Sequence, residues 1–174
     1  MTYRALNNMQ AIDIDSLDKP SATKEYPLGT QIEINDTSKG QASVFVYAKS
    51  HAALSLGQPV NLIEGTGGDA ELVTAAFVEI ATGAGELIGY STTAVTSGYY
   101  FWAQVSGVIT AAAGTVAAGD YVQVIESGTT VIVDGTTGST SRASTSCGVA
   151  KTATSGGLAT IVVMPGIRSH IAKT

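Results

Sequence analysis

The stretch GYYFWAQVSGVITAAAGTVAAGDYVQVIESGTTVIVD, residues 98–134, decides the fold class. Its first run alternates, with Tyr99 and Phe101 on one face and Tyr100 and Trp102 on the other. A period of two is the signature of a β-strand, because successive side chains point to opposite sides of the pleat. The stretch therefore predicts β structure.

Small residues interrupt this stretch at regular intervals. Ser106–Gly107 predicts a turn at which the chain reverses, and Glu126–Gly128 predicts a second hairpin, because glycine can take the positive φ of a tight turn. Aromatic and β-branched residues fill the segments between the turns. Together these features predict a β meander, and the stretch contains no recognisable catalytic constellation.

The rest of the chain from Leu28 onward continues the pattern of short strands and glycine-rich turns. Residues 41–49 are expected to form a hairpin with 29–35, and Ala48 to Leu56 favours one or two helical turns. Residues 72–82 fit either a helical face or a strand, and we favour the strand. The further strands are expected at residues 58–63, 86–92, 147–150 and 158–164. This spacing predicts an all-β protein with a small sandwich or barrel-like domain over residues 28–166.

The two ends of the chain differ from this domain. Residues 1–27 show no long apolar period, and their prolines favour extended backbone. They fit either a disordered terminus or an extended arm that orders against a neighbouring subunit, and we favour the arm. Its apolar anchors would be Ile12, Ile14 and Leu17. Residues 167–174 form a separate C-terminal tail.

A resemblance to a known family lies in the same segments. An aromatic strand leads into Gln104–Gly107, a small-residue run leads into Ala117–Val122, and Cys147–Ala150 precedes the final apolar strand. Over about residues 28–165 this pattern resembles the small capsid decoration, or cement, proteins of tailed bacteriophages. The resemblance implies a structural virion protein, made in the host cytoplasm, that lies on the outer capsid surface. It would stabilise the lattice by bridging major capsid protein subunits, and it implies a homo-oligomer, with a trimer preferred.

Composition argues against several other functions. Charged residues make up 13% of the chain, about half the usual share, and the net charge is −5. An acidic chain without a basic cluster lacks the electrostatic signature of nucleic-acid binding. Residues 87–119 carry no formal charge, but their alternation and polar residues argue against a membrane span.

The reactive side chains form no site that the sequence can identify. Cys147 lies in a short apolar run and fits a buried small hydrophobe. His51 and His170 have no spacing that would bring them together at zinc or in a catalytic pair. Asp13 and its acidic neighbours lack the other ligands of a calcium loop. We therefore expect no catalytic residue, no cofactor and no metal, and the protein is not predicted to be an enzyme.

The concentrated aromatic run supplies the remaining candidate contacts. Tyr99 and Phe101 are expected to point into the core, which leaves Tyr100 and Trp102 on the opposite face. If that face is exposed, these two side chains would contact another subunit or the capsid. The alternative is that they stack on sugar rings, as in a carbohydrate-binding or adhesin-like module of a phage fibre.

Overall fold

The computed structural model describes residues 3–5, 14–36, 40–64, 72–75, 87–124, 130–133 and 148–163. These residues contain β-strands and one short 3-10 turn, Ile14–Ser16. The strands are β1 (Tyr3–Ala5), β2 (Gln31–Asp36), β3 (Gln41–Ser50), β4 (Pro59–Glu64), β5 (Leu72–Ala75), β6 (Leu87–Ser91), β7 (Tyr100–Ala112), β8 (Tyr121–Val124), β9 (Val131–Val133), β10 (Gly148–Ala150) and β11 (Leu158–Val163). The prediction of an all-β protein is confirmed.

Five strands close on themselves as a first barrel. The order is β3, β5, β4, β6 and β7, and β7 pairs again with β3. Only the β3–β5 pairing is parallel. Strands β2 and β1 extend the sheet beyond β3 in antiparallel order. Closure leaves the barrel strands without free edges, which protects their backbone groups from pairing with other chains.

The second half of the molecule repeats this arrangement and uses β7 as its own first strand. β7 pairs with β11, β11 with β10, β10 with β8, and β8 with β9, all antiparallel. A parallel bridge between Ala113 and Val131 returns the ring to the end of β7. Strands β3 to β7 of the first barrel therefore correspond, in the same order, to strands β7 to β11 of the second.

Matching hydrogen bonds show that the repetition extends to individual residues. In the first barrel Gly57 N donates to Ser91 O, and in the second Gly119 N donates to Ala150 O, both at 2.8 Å. Likewise, Ser91 N donates to Gln58 O in the first barrel, and Ala150 N donates to Asp120 O in the second. Ser50 N donates to Tyr99 O in the first barrel, and Ala113 N donates to Gly157 O in the second. The described residues therefore contain one small barrel arrangement twice, with the two barrels joined through a shared strand.

Each barrel encloses its own apolar cluster from equivalent positions. The first is lined by Val46, Ala48, Leu54, Val60, Leu62, Val95, Phe101 and Ala103. The second is lined by Ile109, Ala111, Ala113, Val116, Val122, Val124, Val131, Ala150, Ala159, Ile161 and Val163, and Tyr90 of β6 packs into it. Burial of each large side chain contributes about 1.5–3 kcal/mol.

The predicted turn at Ser106–Gly107 is wrong, because strand β7 runs through both residues. The strand continues through Gly107, which has a φ of 95°. A Cβ on this glycine would lie 2.5 Å from Ser43 Oγ, so the missing side chain allows β3 to approach β7 closely. Glycine at this position permits the close approach while the strand continues from one barrel into the next. The prediction of a meander is also wrong, because β8 pairs with β9 and β10 and not with β7.

The other local predictions have mixed outcomes. The pairing of β2 with β3 and that of β8 with β9 are confirmed. Of the strand favoured at residues 72–82, Leu72–Ala75 is a strand, and residues 76–82 lie outside the described residues. The expected helical turns between Ala48 and Leu56 are wrong, since β3 runs to Ser50 and the chain then bends and forms an isolated β-bridge at Leu54. There Leu54 N donates to Val95 O at 2.8 Å, and Val95 N donates back to Leu54 O at 2.9 Å.

Candidate contact surface

The outer face of β3 and β7 in the first barrel is aromatic. Tyr47 and Trp102 are register partners on these strands, and their ring centroids lie 5.0 Å apart. Tyr100 stacks on Tyr47 with an interplanar angle of 12° and a centroid distance of 6.1 Å. Residues 100 and 102 share this face because side chains alternate along β7. The sequence thus places three aromatic rings side by side on the outside of the barrel.

An extended segment, residues 14–27, lies across this aromatic face, and we call it the strap. Near one end Leu17 is 3% exposed and belongs to the same cluster as Trp102. Near the other end Tyr26 lies 5.2 Å from Tyr47 and 5.3 Å from Trp102 between ring centroids. The residues between these anchors, Ala22 to Glu25, are exposed. The strap therefore contacts the barrel mainly through two apolar side chains.

Hydrogen bonds fix the path of the strap. Ser21 forms an antiparallel bridge with Tyr100, in which Ser21 N donates to Tyr100 O at 2.9 Å and Tyr100 N donates back at 2.8 Å. Thr92 Oγ1 donates to Leu17 O at 3.2 Å, and Glu25 N donates to Tyr47 Oη at 3.1 Å. These bonds satisfy backbone groups of the strap along its length.

The polar atoms of the aromatic face are few. Lys49 Nζ lies 5.6 Å from the centroid of the Tyr100 ring, a distance that allows a cation–π contact. The indole Nε1 of Trp102 is buried and has no hydrogen-bond partner among the described residues. Burial raises the pKa of the Tyr47 hydroxyl above its ordinary value of 10.0; the backbone hydrogen bond from Glu25 lowers it by a smaller amount.

The raised pKa of Tyr47 predicts a loss of stability at high pH. The unfolded chain ionises this hydroxyl near pH 10.0, whereas the folded protein keeps it neutral to higher pH. The stabilisation is therefore complete below pH 10 and is lost as the pH rises through the folded-state pKa. In Tyr47→Phe, which keeps the ring, we expect urea midpoints to fall less between about pH 9 and pH 11 than in the natural protein. An equal fall in both proteins would contradict this assignment.

The structure brings three of the predicted contact residues together. Leu17 of the strap packs in one cluster with Tyr100 and Trp102 of the barrel, with Tyr100 half-buried and Trp102 1% exposed. Ile12 and the side chain of Ile14 lie outside the described residues. The conditional expectation of an exposed face at Trp102 is corrected, because the strap covers that face. A contact of Leu17 or Trp102 with another subunit stays a prediction, and it requires the strap to move.

The predicted arm likewise packs on its own chain in this structure. Residues 3–5 pair with β2, and Leu17, Ser21 and Tyr26 contact the first barrel. Sequence reasoning identified Leu17 as an anchor but missed Tyr26 and the surface on which both pack. The missed signal is the continuous apolar run in residues 44–47, which gives β3 apolar side chains on both faces. A strand that is apolar on both faces needs a cover on each side.

Reactive groups do not converge in the described part of the chain. Its residues contain no group of three or more histidine, cysteine, aspartate or glutamate side chains that could hold a metal ion. His51 is exposed, while Cys147 and His170 lie outside the described residues. Within the same ranges, no helix is long and apolar enough to cross a membrane.

Comparison with known proteins finds similarity among solved structures. No protein-family model matches the chain, and no curated protein is significantly similar to it. Among solved structures, the chain is similar to the N base of the head fiber gp8.5 of bacteriophage phi29. The TM-score is 0.46 and the identity 19%, over 75% of this chain and 99% of that chain. A TM-score of this size decides neither a shared fold nor a function.

Proposed function

We propose that this protein is a structural component of a tailed-bacteriophage virion that decorates the outer surface of the capsid and stabilises its lattice. The observation that carries the proposal is the strap, an extended segment seated on an aromatic face of its own barrel. In the proposed mechanism the strap serves as the arm that reaches a neighbouring subunit. The resemblance in the sequence supports the same role. Its partner would be the major capsid protein.

The free energy that holds the strap on its own barrel is compatible with release of the strap to a capsid subunit. Leu17 contributes about 1.5–3 kcal/mol through burial, and Tyr26, which is only half-buried, contributes less. Ordering an extended segment costs about 1–2 kcal/mol of backbone entropy per residue, which opposes this gain. The unpartnered Nε1 of Trp102 adds a further cost beneath the strap. A small net stabilisation would let a capsid surface compete for the same segment.

Decoration of a lattice needs no strong single contact. Each copy would bridge neighbouring capsid subunits through its strap and through a surface of the barrels. Many identical weak contacts on one lattice add up, because every bound copy raises the effective concentration of the next contact. The proposal includes no catalytic step, cofactor or nucleic acid.

The alternative of a carbohydrate-binding module depended on aromatic rings that are exposed on one face of the strand. Stacking on a sugar needs an exposed ring face, and Trp102 is 1% exposed beneath the strap. Its register partner Tyr47 is 2% exposed. These two rings therefore contribute to the core in this conformation.

A reversible crosslink tests the role of the strap. Ser21 and Tyr100 form a hydrogen-bonded antiparallel pair, for which Cα atoms lie about 5.5 Å apart, within the range that a disulfide spans. We would combine Ser21→Cys and Tyr100→Cys with Cys147→Ser and measure co-sedimentation with emptied, expanded heads of the cognate phage. The oxidised form is expected to lose binding, and the reduced form is expected to bind saturably.

A second crosslink serves as the control for oxidation itself. Leu54 and Val95 form the same kind of hydrogen-bonded bridge inside the first barrel, where no movement is required. Leu54→Cys with Val95→Cys, again with Cys147→Ser, should bind in both redox states. Equal binding by all forms would show that the strap stays on its own chain. Absence of binding by the natural protein would overturn the decoration proposal as a whole.

A further inference from the structure

Four hydrogen bonds join the strap to the first barrel through backbone atoms of the strap. Ser21 exchanges two of them with the backbone of Tyr100. The side-chain hydroxyls of Thr92 and Tyr47 each form one more with a backbone group of the strap. Because backbone groups are common to extended peptides, these four bonds do not depend on the side chains of the strap. The aromatic face can therefore hold an extended segment of another sequence in the same way.

Departure of the strap would expose an apolar surface. Leu17 and Tyr26 of the strap pack in one cluster with Tyr47 and Trp102 of the barrel. With the strap seated, these two barrel residues are 2% and 1% exposed, and Trp102 is the largest fully buried side chain among the described residues. Exposure of such rings to water is unfavourable, since burial stabilises in proportion to the apolar area removed from water. Release of the strap to a capsid subunit therefore calls for another segment that covers the same rings.

One polar atom of the aromatic face makes no hydrogen bond to the strap. The indole Nε1 of Trp102 is buried and finds no acceptor among the described residues. Buried N–H groups in native proteins are nearly always paired, so an exception of this kind points to a partner that joins later. A segment that covers the ring and carries an oxygen within reach of Nε1 would gain a hydrogen bond that the strap does not make.

We propose that the aromatic face, once the strap has left it, binds an extended segment of the same capsid subunit that receives the strap. This segment pairs with Tyr100 as a short β-strand, covers the rings of Tyr47 and Trp102 with an apolar side chain, and places an acceptor oxygen on Trp102 Nε1. In the free protein the strap serves as an internal substitute for it. The inference rests on the proposed function, because the face becomes accessible only when the strap moves.

The indole donor of Trp102 decides which of the two occupants the face prefers. The strap and the incoming segment use the same backbone positions and cover the same rings, so these contributions largely cancel. Only the incoming segment forms the hydrogen bond to Nε1. One such bond, made where a buried donor was previously unpaired, corresponds to a preference of about tenfold. Trp102 is therefore a specificity-determining residue of the face.

Replacement of the indole N–H by sulfur tests this role. The chain has a single tryptophan, so Trp102→benzothienylalanine, which keeps the shape of the side chain and lacks the donor, changes this position alone. We expect binding to emptied, expanded heads of the cognate phage, measured by co-sedimentation, to weaken about tenfold. The urea midpoint of the free protein should not fall, because the donor has no partner among the described residues. A lower midpoint with unchanged binding would assign the donor to the fold and overturn the inference.

Tyr47→Phe is the matched control for disturbance of the face. The Tyr47 hydroxyl accepts a backbone N–H of the strap and is equally placed for that of an incoming segment. Its loss therefore weakens both occupants, and head binding should change by less than about threefold. An equal weakening in Tyr47→Phe and in the Trp102 variant would show that the indole donor has no separate role.

Photocrosslinking identifies the occupant of the face. Tyr100→benzoylphenylalanine places a photoreactive group at the residue that pairs with Ser21 of the strap. We expect irradiation to link it to its own chain in the free protein and to the major capsid protein on saturated heads. On heads, a product with a second copy of this chain, or only with its own chain, would overturn the inference. Absence of head binding by the natural protein would overturn the proposed function as well, so the two failures are distinguishable.

Discussion

Gly57→Ala is expected to destabilise the protein by about 3–5 kcal/mol, an unusually large effect for the addition of one methyl group. Gly57 has a φ of 73°, where an alanine is strained by about 1–2 kcal/mol. Its Cβ would also lie 2.6 Å from Ala112 N and 2.7 Å from Thr110 O. Both atoms belong to β7, so the backbone of the shared strand would have to move. Urea denaturation followed by circular dichroism measures the change.

Gly98→Ala provides a matched control for the backbone strain. Gly98 occupies the related corner of the same barrel with a φ of 83°, and a Cβ there would meet nothing within 4 Å. We expect a cost of about 1–2 kcal/mol from the left-handed conformation alone. The difference between the two variants then reports the close approach of Gly57 to β7. Equal losses of stability would show that this approach carries no energetic weight.

Trp102→Ala is expected to cost about 3–5 kcal/mol, because it removes the largest fully buried side chain and leaves a cavity beneath the strap. Trp102 contacts the rings of Tyr26 and Tyr47, so the loss should also loosen the strap. The natural protein has a single tryptophan, and the variants are therefore compared by circular dichroism in urea. Limited proteolysis between Leu17 and Tyr26 would report the strap directly.

Trp102→Phe separates packing from hydrogen bonding at the same position. Phenylalanine keeps an aromatic ring and lacks the Nε1 donor, for which the described residues offer no partner. We expect a loss of only about 1–2 kcal/mol, since removal of an unsatisfied buried donor offsets part of the lost contact. A phenylalanine variant as unstable as the alanine variant would indicate that the indole makes a polar contact that stabilises the fold.

The β structure of the chain could be predicted because it follows from local patterns in the sequence. Alternation identified the strand that begins at Tyr100, and turn residues identified the hairpin of β2 and β3. The pairing of β7 with β11 could not be found in this way. Those strands are separated by three other strands of the second barrel, β8, β9 and β10, and a short apolar strand carries little information about its partner.

The structural repeat has a counterpart in the sequence that the prediction did not use. An apolar residue three positions before a glycine occurs at Leu54, Val95 and Val116, each at the corner before a strand. All three are buried, and each following glycine has a positive φ. Repeats this short and degenerate are difficult to distinguish from ordinary turn chemistry. For the same reason Gly107 was read as a turn, although it lies inside β7.

The candidate contact surface was predicted only in part, because burial depends on which segment covers a face. The alternation around Trp102 correctly separated two faces of the strand. It could not show that Leu17 and Tyr26, which lie far away in the sequence, would cover the outer one.

The shared strand also fixes the spacing between the two ends of the molecule. β7 has 13 residues, which at about 3.3 Å per residue span roughly 40 Å. The two barrels are joined by this strand instead of a linker, so its length fixes how far apart they lie. Any assembly that engages both ends must present its own contact points at that distance. A partner that contacts both barrels would therefore meet them at a spacing set by the backbone of one strand.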